Sequence, residues 1–240
     1  AYLSRAIGPP RFKFPLAKLV SFSWPLSVAD VVVFWYRWFD RALLLVFVPL
    51  ATLGIYNAAT VAFDALGSVT NAVAWTLFPA YSVIQDSQRK TAAGALLMAS
   101  RYVSILGIPL ALGLMATAKP ALALFVGEAY VEGSGPLMIL AGTSAFTLVA
   151  TVLSPMLLAL RETRAASAIT ILSLGVSLVV AFVLLPIWGM IGASLARGLA
   201  MILITVLTIL ILSRKLSLRL DLEAMSKSLI AGIIMAAIVI

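Results

Sequence analysis

Six apolar runs, each about 20 residues or longer, take up most of the chain, and only short polar or proline- and glycine-bearing breaks divide them. A helix of about 20 apolar residues crosses the hydrocarbon of a bilayer. Inside hydrocarbon every backbone N–H and C=O must be satisfied internally, which leaves helices or closed barrels. Barrel strands need only about 10 residues, so runs of this length predict an all-α integral membrane protein. The spans are read at 16–48, 55–84, 91–118, 136–160, 165–185 and 191–213. The stretch 121–126 is too short to cross and reads, with 127–135, as an interfacial turn. The apolar stretch 229–240 would extend only about 18 Å, so it reads as the start of a truncated seventh helix. The chain begins at Ala1 and stops within an apolar run, the pattern expected of part of a longer polytopic protein.

Basic residues sit at alternate ends of these runs. Arg5, Arg11, Lys13 and Lys18, then Arg89 and Lys90, then Arg161 and Arg164, then Arg214, Lys215, Arg219 and Lys227 share one side, whereas Lys119 stands on the other. Because Lys and Arg accumulate in cytoplasmic loops, that side is read as the cytoplasm. The expected organisation is a cytoplasmic lead-in at 1–15, a six-helix lobe at 16–213, a cytoplasmic loop at 214–228 and the further helix from 229. The net charge of +8 is thus a topology signal, and no nucleic-acid partner is expected.

Cysteine and histidine are both absent, which excludes thiolate chemistry, disulfides and the commonest metal ligand and proton shuttle. No phosphate-binding loop, dinucleotide glycine pattern or nucleophile elbow occurs. The chain therefore reads as a non-enzyme without a bound cofactor, and Na⁺ or H⁺ coupling is one role open to its buried acids.

Seven charged side chains interrupt the apolar runs: Asp30, Arg37, Asp40, Arg41, Asp64, Arg101 and Arg197. A charge at the bilayer centre costs roughly 2.5 to 3.5 kcal/mol on insertion scales, so such residues face a bundle interior or a watery cavity. On one helix Asp30, Arg37 and Arg41 fall within roughly 40° of one another, and Asp40 lies at i+3 from Arg37. Three roles are open. The charges can pair with one another as structural glue. The arginines Arg37, Arg41, Arg101 and Arg197 can bind an anionic substrate through bidentate bonds to phosphate or carboxylate. The aspartates Asp30, Asp40 and Asp64 can serve ion coupling or ion pairing.

Pro25, Pro79, Pro109 and Pro155 lie in or near the spans and are candidates for bends. The pairs Gly54 with Ala58 and Gly189 with Ala193 fit either a weak internal repeat or close helix packing. Trp188, Tyr56 and Tyr130 read as outer interfacial anchors and Tyr81 as an inner one. Trp35, Tyr36 and Trp38 flank Arg37, where a ring can stack on a guanidinium, on a sugar, or against lipid.

The order of several segments resembles the polysaccharide and oligosaccharide flippases of the multidrug/oligosaccharidyl-lipid/polysaccharide superfamily. They are Asp40-Arg-Ala-Leu-Leu44 before Leu53-Gly-Ile-Tyr-Asn-Ala-Ala59, then Phe78-Pro-Ala-Tyr-Ser82, then Pro109-Leu-Ala-Leu-Gly-Leu114. Leu124-Phe-Val-Gly-Glu-Ala-Tyr130, Leu137-Met-Ile-Leu140, Leu158-Ala-Leu-Arg-Glu-Thr-Arg164 and Gly189-Met-Ile-Gly-Ala-Ser-Leu-Ala-Arg197 follow. The resemblance implies the C-terminal lobe of a two-lobed, MATE-like transporter, facing a matching N-terminal half across a central cavity. It further implies movement of a lipid-linked oligosaccharide from the inner to the outer leaflet by alternating access, with membrane lipid and the other half of the polypeptide as partners. The alternatives are a cation-coupled multidrug exporter of the same fold, a peptidoglycan lipid-precursor flippase, or a non-transporting membrane protein of glycan assembly.

Overall fold

A computed structural model describes residues 16–76, 89–160, 162–215 and 221–239, and every regular element among them is helical. The lead-in at 1–15, the segment containing Phe78 to Ser82 with Pro79 and Tyr81, and Arg161 lie outside the described residues. So do the side chains of Asp30, Tyr36 and Arg37.

The elements run α1 (Leu16–Phe47), α2 (Leu50–Thr76), α3 (Arg89–Ala116), α4 (Ala118–Phe125), a 3₁₀ segment (Glu128–Gly133), α5 (Ser134–Thr147), α6 (Val149–Ala159), α7 (Thr163–Lys215) and α8 (Leu222–Val239). The turn between α1 and α2 is tighter than the expected break at 49–54. Pro49 cannot extend α1, and its carbonyl accepts the Leu53 N–H at 3.2 Å, so the next helix starts at once. In the same way α8 begins at Leu222 rather than at 229. The Asp221 carboxylate accepts the Ala224 N–H at 2.9 Å, capping a helix start inside the stretch read as loop.

Helix α7 doubles back on itself. Gly189 takes φ 51° and ψ −126°, the geometry of the first central residue of a type II′ turn, which side chains with a Cβ rarely adopt. The Ser177 hydroxyl donates to the Ala196 carbonyl at 3.2 Å, although 19 residues of straight helix would separate the two by about 28 Å. Its arms, 163–188 and 190–215, are each about 39 Å long. The reversal falls within the stretch 186–189 read as a turn. Close packing occurs at Gly192, where an added Cβ would lie 2.4 Å from the Leu184 carbonyl oxygen, whereas one at Gly54 would touch nothing.

The expected span at 136–160 is broken. Helices α5 and α6 meet at 57°, and the break falls at Leu148 rather than at Pro155. The Thr147 hydroxyl donates to the Thr143 and Ser144 carbonyls at 3.3 and 3.4 Å, and Thr151 donates to Leu148 at 2.6 Å. Side-chain hydroxyls thus satisfy carbonyls beside the interruption.

Helix α8 packs along α3, while α1 and α5 pack along α7. One core joins Leu96, Val103, Val152, Leu153, Met156 and Leu212, and another joins Leu44, Tyr56, Ala181, Leu185, Ala193 and Ala196 across α1, α2 and both arms of α7. Large apolar side chains such as Val46, Phe146, Val179 and Ile187 lie exposed on the outside, a surface suited to hydrocarbon rather than water. Among the described residues Leu96–Ala116 and Thr163–Arg214 are long and apolar enough to cross a membrane, and Glu128–Thr147 with Val149–Leu158 makes a third, bent candidate. The protein is an all-α, multi-pass membrane protein.

Candidate functional site

Where α1, α2 and the second arm of α7 meet, four of the sequence-identified charges converge. Asp40 comes from α1, two turns before its end; Arg41 follows it; Asp64 projects from α2; and Arg197 stands two turns beyond the Gly189 reversal. Arg197 bridges both acids, with Nη1 3.3 Å from Asp40 Oδ2 and Nη2 3.1 Å from Asp64 Oδ1. Arg41 Nη2 lies 3.8 Å from Asp64 Oδ2 and donates to the Thr60 hydroxyl at 2.9 Å. Rings fix both guanidinium groups: Trp38 lies 4.9 Å from that of Arg41, and Phe63 5.5 Å from that of Arg197. Trp38, one of the three rings that flank Arg37 in sequence, thus lies over Arg41.

The two carboxylates are held differently. The side chain of Asp40 is 11% exposed and accepts the Tyr56 phenol at 2.7 Å and the Arg41 backbone N–H at 2.9 Å. That of Asp64 is 53% exposed and opens onto a groove. Tyr56, read from sequence as an outer interfacial anchor, is fully buried, a correction with a simple cause. A buried carboxylate needs donors, and the phenol one helix away supplies one. Tyr56→Phe is expected to cost about 1.5 to 3 kcal/mol, the range for a hydrogen bond to a charged group, read as a lowered thermal midpoint. An unchanged midpoint would show that Asp40 does not depend on the phenol.

The groove has a volume of about 600 Å³ and lies between α2, α5, α6 and the second arm of α7. Its wall carries Asp64, Ser68, Asn71, Ser144, Thr147, Thr151, Ser154 and Arg197 among apolar neighbours. Sequence reasoning passed over these hydroxyls, although Ser144, Thr147, Thr151 and Ser154 recur at helical spacing inside an apolar run. Such a wall suits a ligand rich in hydroxyl groups.

Arg101 stands apart from the other arginines. It lies 3.8 Å from Asp221 at the start of α8 and is 62% exposed. Among the described residues the cluster holds two arginines and two aspartates, while the side chains of Arg37 and Asp30 lie outside the described residues. Among the described residues no three acidic side chains converge as a metal site would require.

The lobe combines a broken span and a helical hairpin, and the groove lies between them. The chain superposes on the lipid II flippase MurJ in its inward closed conformation with a TM-score of 0.79 at 14% identity, over 99% of this chain and 51% of that one. Residues 4–134 match the polysaccharide biosynthesis protein family, and the chain belongs to it. It is also 24% identical over 237 residues to the probable low-salt glycan biosynthesis flippase Agl15 of Haloferax volcanii, over 98% of this chain and 50% of that protein. The chain spans about half the length of both relatives.

Proposed function

We propose that this chain forms one half of a flippase that moves a lipid-linked oligosaccharide or polysaccharide repeat unit from the cytoplasmic to the outer leaflet of the cell membrane by alternating access. The observation that carries the reading is the hydroxyl-bearing groove, open on one side of a lobe with a largely apolar exterior, with the Arg41–Asp64–Arg197 cluster at its edge. Hydroxyl and amide groups exchange hydrogen bonds with a glycan as water does, which lowers the cost of drawing sugars into the membrane. The guanidinium groups suit the phosphate or diphosphate that joins glycan to lipid. The work is transport without covalent chemistry, and the matching half of the polypeptide supplies the facing wall. Coupling to Na⁺ or H⁺ falls to Asp64, the acidic side chain of the cluster that opens on the groove. The positive-inside asymmetry supports a cytoplasmic side for the segment before α1.

The shared fold with the lipid II flippase favours as a second reading a peptidoglycan lipid precursor as cargo, another glycan joined to lipid through phosphate. Cells lacking the full-length protein separate the two: complementation restores surface glycan under the first reading and wall synthesis under the second.

Ser68 is exposed and lines the groove, so Ser68→Trp fills the space with little effect on packing. Glycan export by the full-length variant is expected to fall about tenfold or more at unchanged protein abundance, which corresponds to a transport barrier raised by about 1.4 kcal/mol or more. Wild-type export would remove this groove from the transport path.

A further inference from the structure

We propose that Arg41 and Arg197 form a phosphate-anion site and that Asp64 occupies it from within, as an internal carboxylate that an incoming phosphate or diphosphate displaces. The inference rests on the flippase reading above and adds how the site is controlled.

The two acids of the cluster are not equivalent. Asp40 is buried, and besides Arg197 it is held by the Tyr56 phenol and the Arg41 backbone N–H, on both of its oxygens. It is a fixed part of the helix contact. Among the described residues Asp64 is held by the two guanidinium groups, with no backbone or phenol donor beside them, and half of its side chain is open to the groove. Moving it toward the groove breaks no backbone or phenol hydrogen bond. Asp64 is the displaceable acid.

Arg41 has capacity to spare. Arg41 Nη2 gives its hydrogen bond to Thr60 and stands 3.8 Å from Asp64, an ion pair longer than a hydrogen bond. Its Nε is buried and, among the described residues, has no acceptor. A phosphate offers three strong acceptor oxygens to the two of a carboxylate, so it can engage donors that Asp64 leaves unused. Trp38 and Phe63 hold the guanidinium groups against their rings, so the donors stay positioned when the carboxylate leaves. Neutralising Asp64 changes the cluster from two charges of each sign to two positive against one negative. A carboxylate that merely balances the arginines predicts loss of structure on its removal. A masking carboxylate predicts a gain of anion affinity.

The test uses the full-length protein in detergent, titrated with inorganic pyrophosphate and separately with farnesyl diphosphate. Asp64→Asn and Asp64→Ser are each expected to bind the probes about tenfold or more tightly than the wild type, the effect of removing one competing charge. In the double variant Asp64→Asn/Arg41→Gln the gain disappears. A gain with both probes identifies the diphosphate alone as the ligand feature, and a gain confined to farnesyl diphosphate identifies a lipid headgroup. Affinity equal to or below wild type in Asp64→Asn and Asp64→Ser overturns the proposal. So does failure of both variants to stay folded, because a displaceable carboxylate cannot be essential to the lobe. Transport of lipid-linked glycan by the unmodified full-length protein in proteoliposomes is scored separately. Its absence alongside the affinity gain would remove the flippase reading and leave the anion site standing.

Discussion

Arg197→Ala is expected to destabilise the lobe by about 3 to 5 kcal/mol, the cost of breaking a buried ion pair by removing one partner. Arg197 connects α7 to Asp40 on α1 and Asp64 on α2 through a single planar group. Its removal strands Asp40, which is buried between helices and cannot turn to water as the half-exposed Asp64 can. Lysine is a poor substitute, because one ammonium point charge cannot span two carboxylates on different helices as the guanidinium fork does. The measurement is the fraction of monodisperse full-length protein after stepwise heating, with Arg197→Ala falling well below wild type and Arg197→Lys between them. The double variant Asp40→Asn/Arg197→Ala removes both charges and, measured beside Asp40→Asn and Arg197→Ala, should recover part of the loss. The coupling energy of that cycle isolates the Asp40–Arg197 term from the rest of the cluster. A stable Arg197→Ala protein would mean that Asp40 finds its compensation elsewhere.

The same cluster shows where sequence reasoning reaches and where it stops. That Asp40, Asp64 and Arg197 need company inside the membrane is legible, because charge in an apolar run has few solutions. Which partner each finds is not, since partners are set by the packing of helices remote in sequence. Arg101 illustrates the point: α8 lies along α3 and brings Asp221 to it, so Arg101 never joins the arginines of the groove. Tyr56 illustrates the converse, a residue whose amphipathic character fits an interfacial anchor and a buried donor equally well until Asp40 is placed beside it. Turns marked by proline and glycine were legible to within a few residues, as Gly189 shows. The break at Leu148 was not, for neither residue type occurs at it, and the proline that drew attention lies farther along in α6. The hydroxyls beside that break also line the groove, so the least legible bend and the overlooked polar wall are one feature.

Gly192→Ala is expected to disrupt the hairpin of α7 and to cost at least the upper part of the 1 to 3 kcal/mol range for overpacking. The added methyl carbon would stand 2.4 Å from the Leu184 carbonyl oxygen, 2.6 Å from its carbon and 3.0 Å from the Leu185 nitrogen. All three are backbone atoms of the opposing arm, so no rotamer change relieves the contact. The arms would have to part, and the neighbouring contacts depend on their closeness. Ala181 and Leu185 pack against Ala193 and Ala196, and the Ser177 hydroxyl reaches the Ala196 carbonyl. Arg197 follows that residue directly, so a shift of the second arm also moves the guanidinium away from Asp40 and Asp64. A structural defect at Gly192 should therefore appear twice, as lowered thermal stability and as lost export. Gly232→Ala is the informative contrast. There the added carbon would meet Leu112 Cδ1 at 2.7 Å, the far end of a side chain that can rotate away. Equal losses for the two variants would show that α7 tolerates separation of its arms, and that the geometry around Arg197 is set by something other than this close approach.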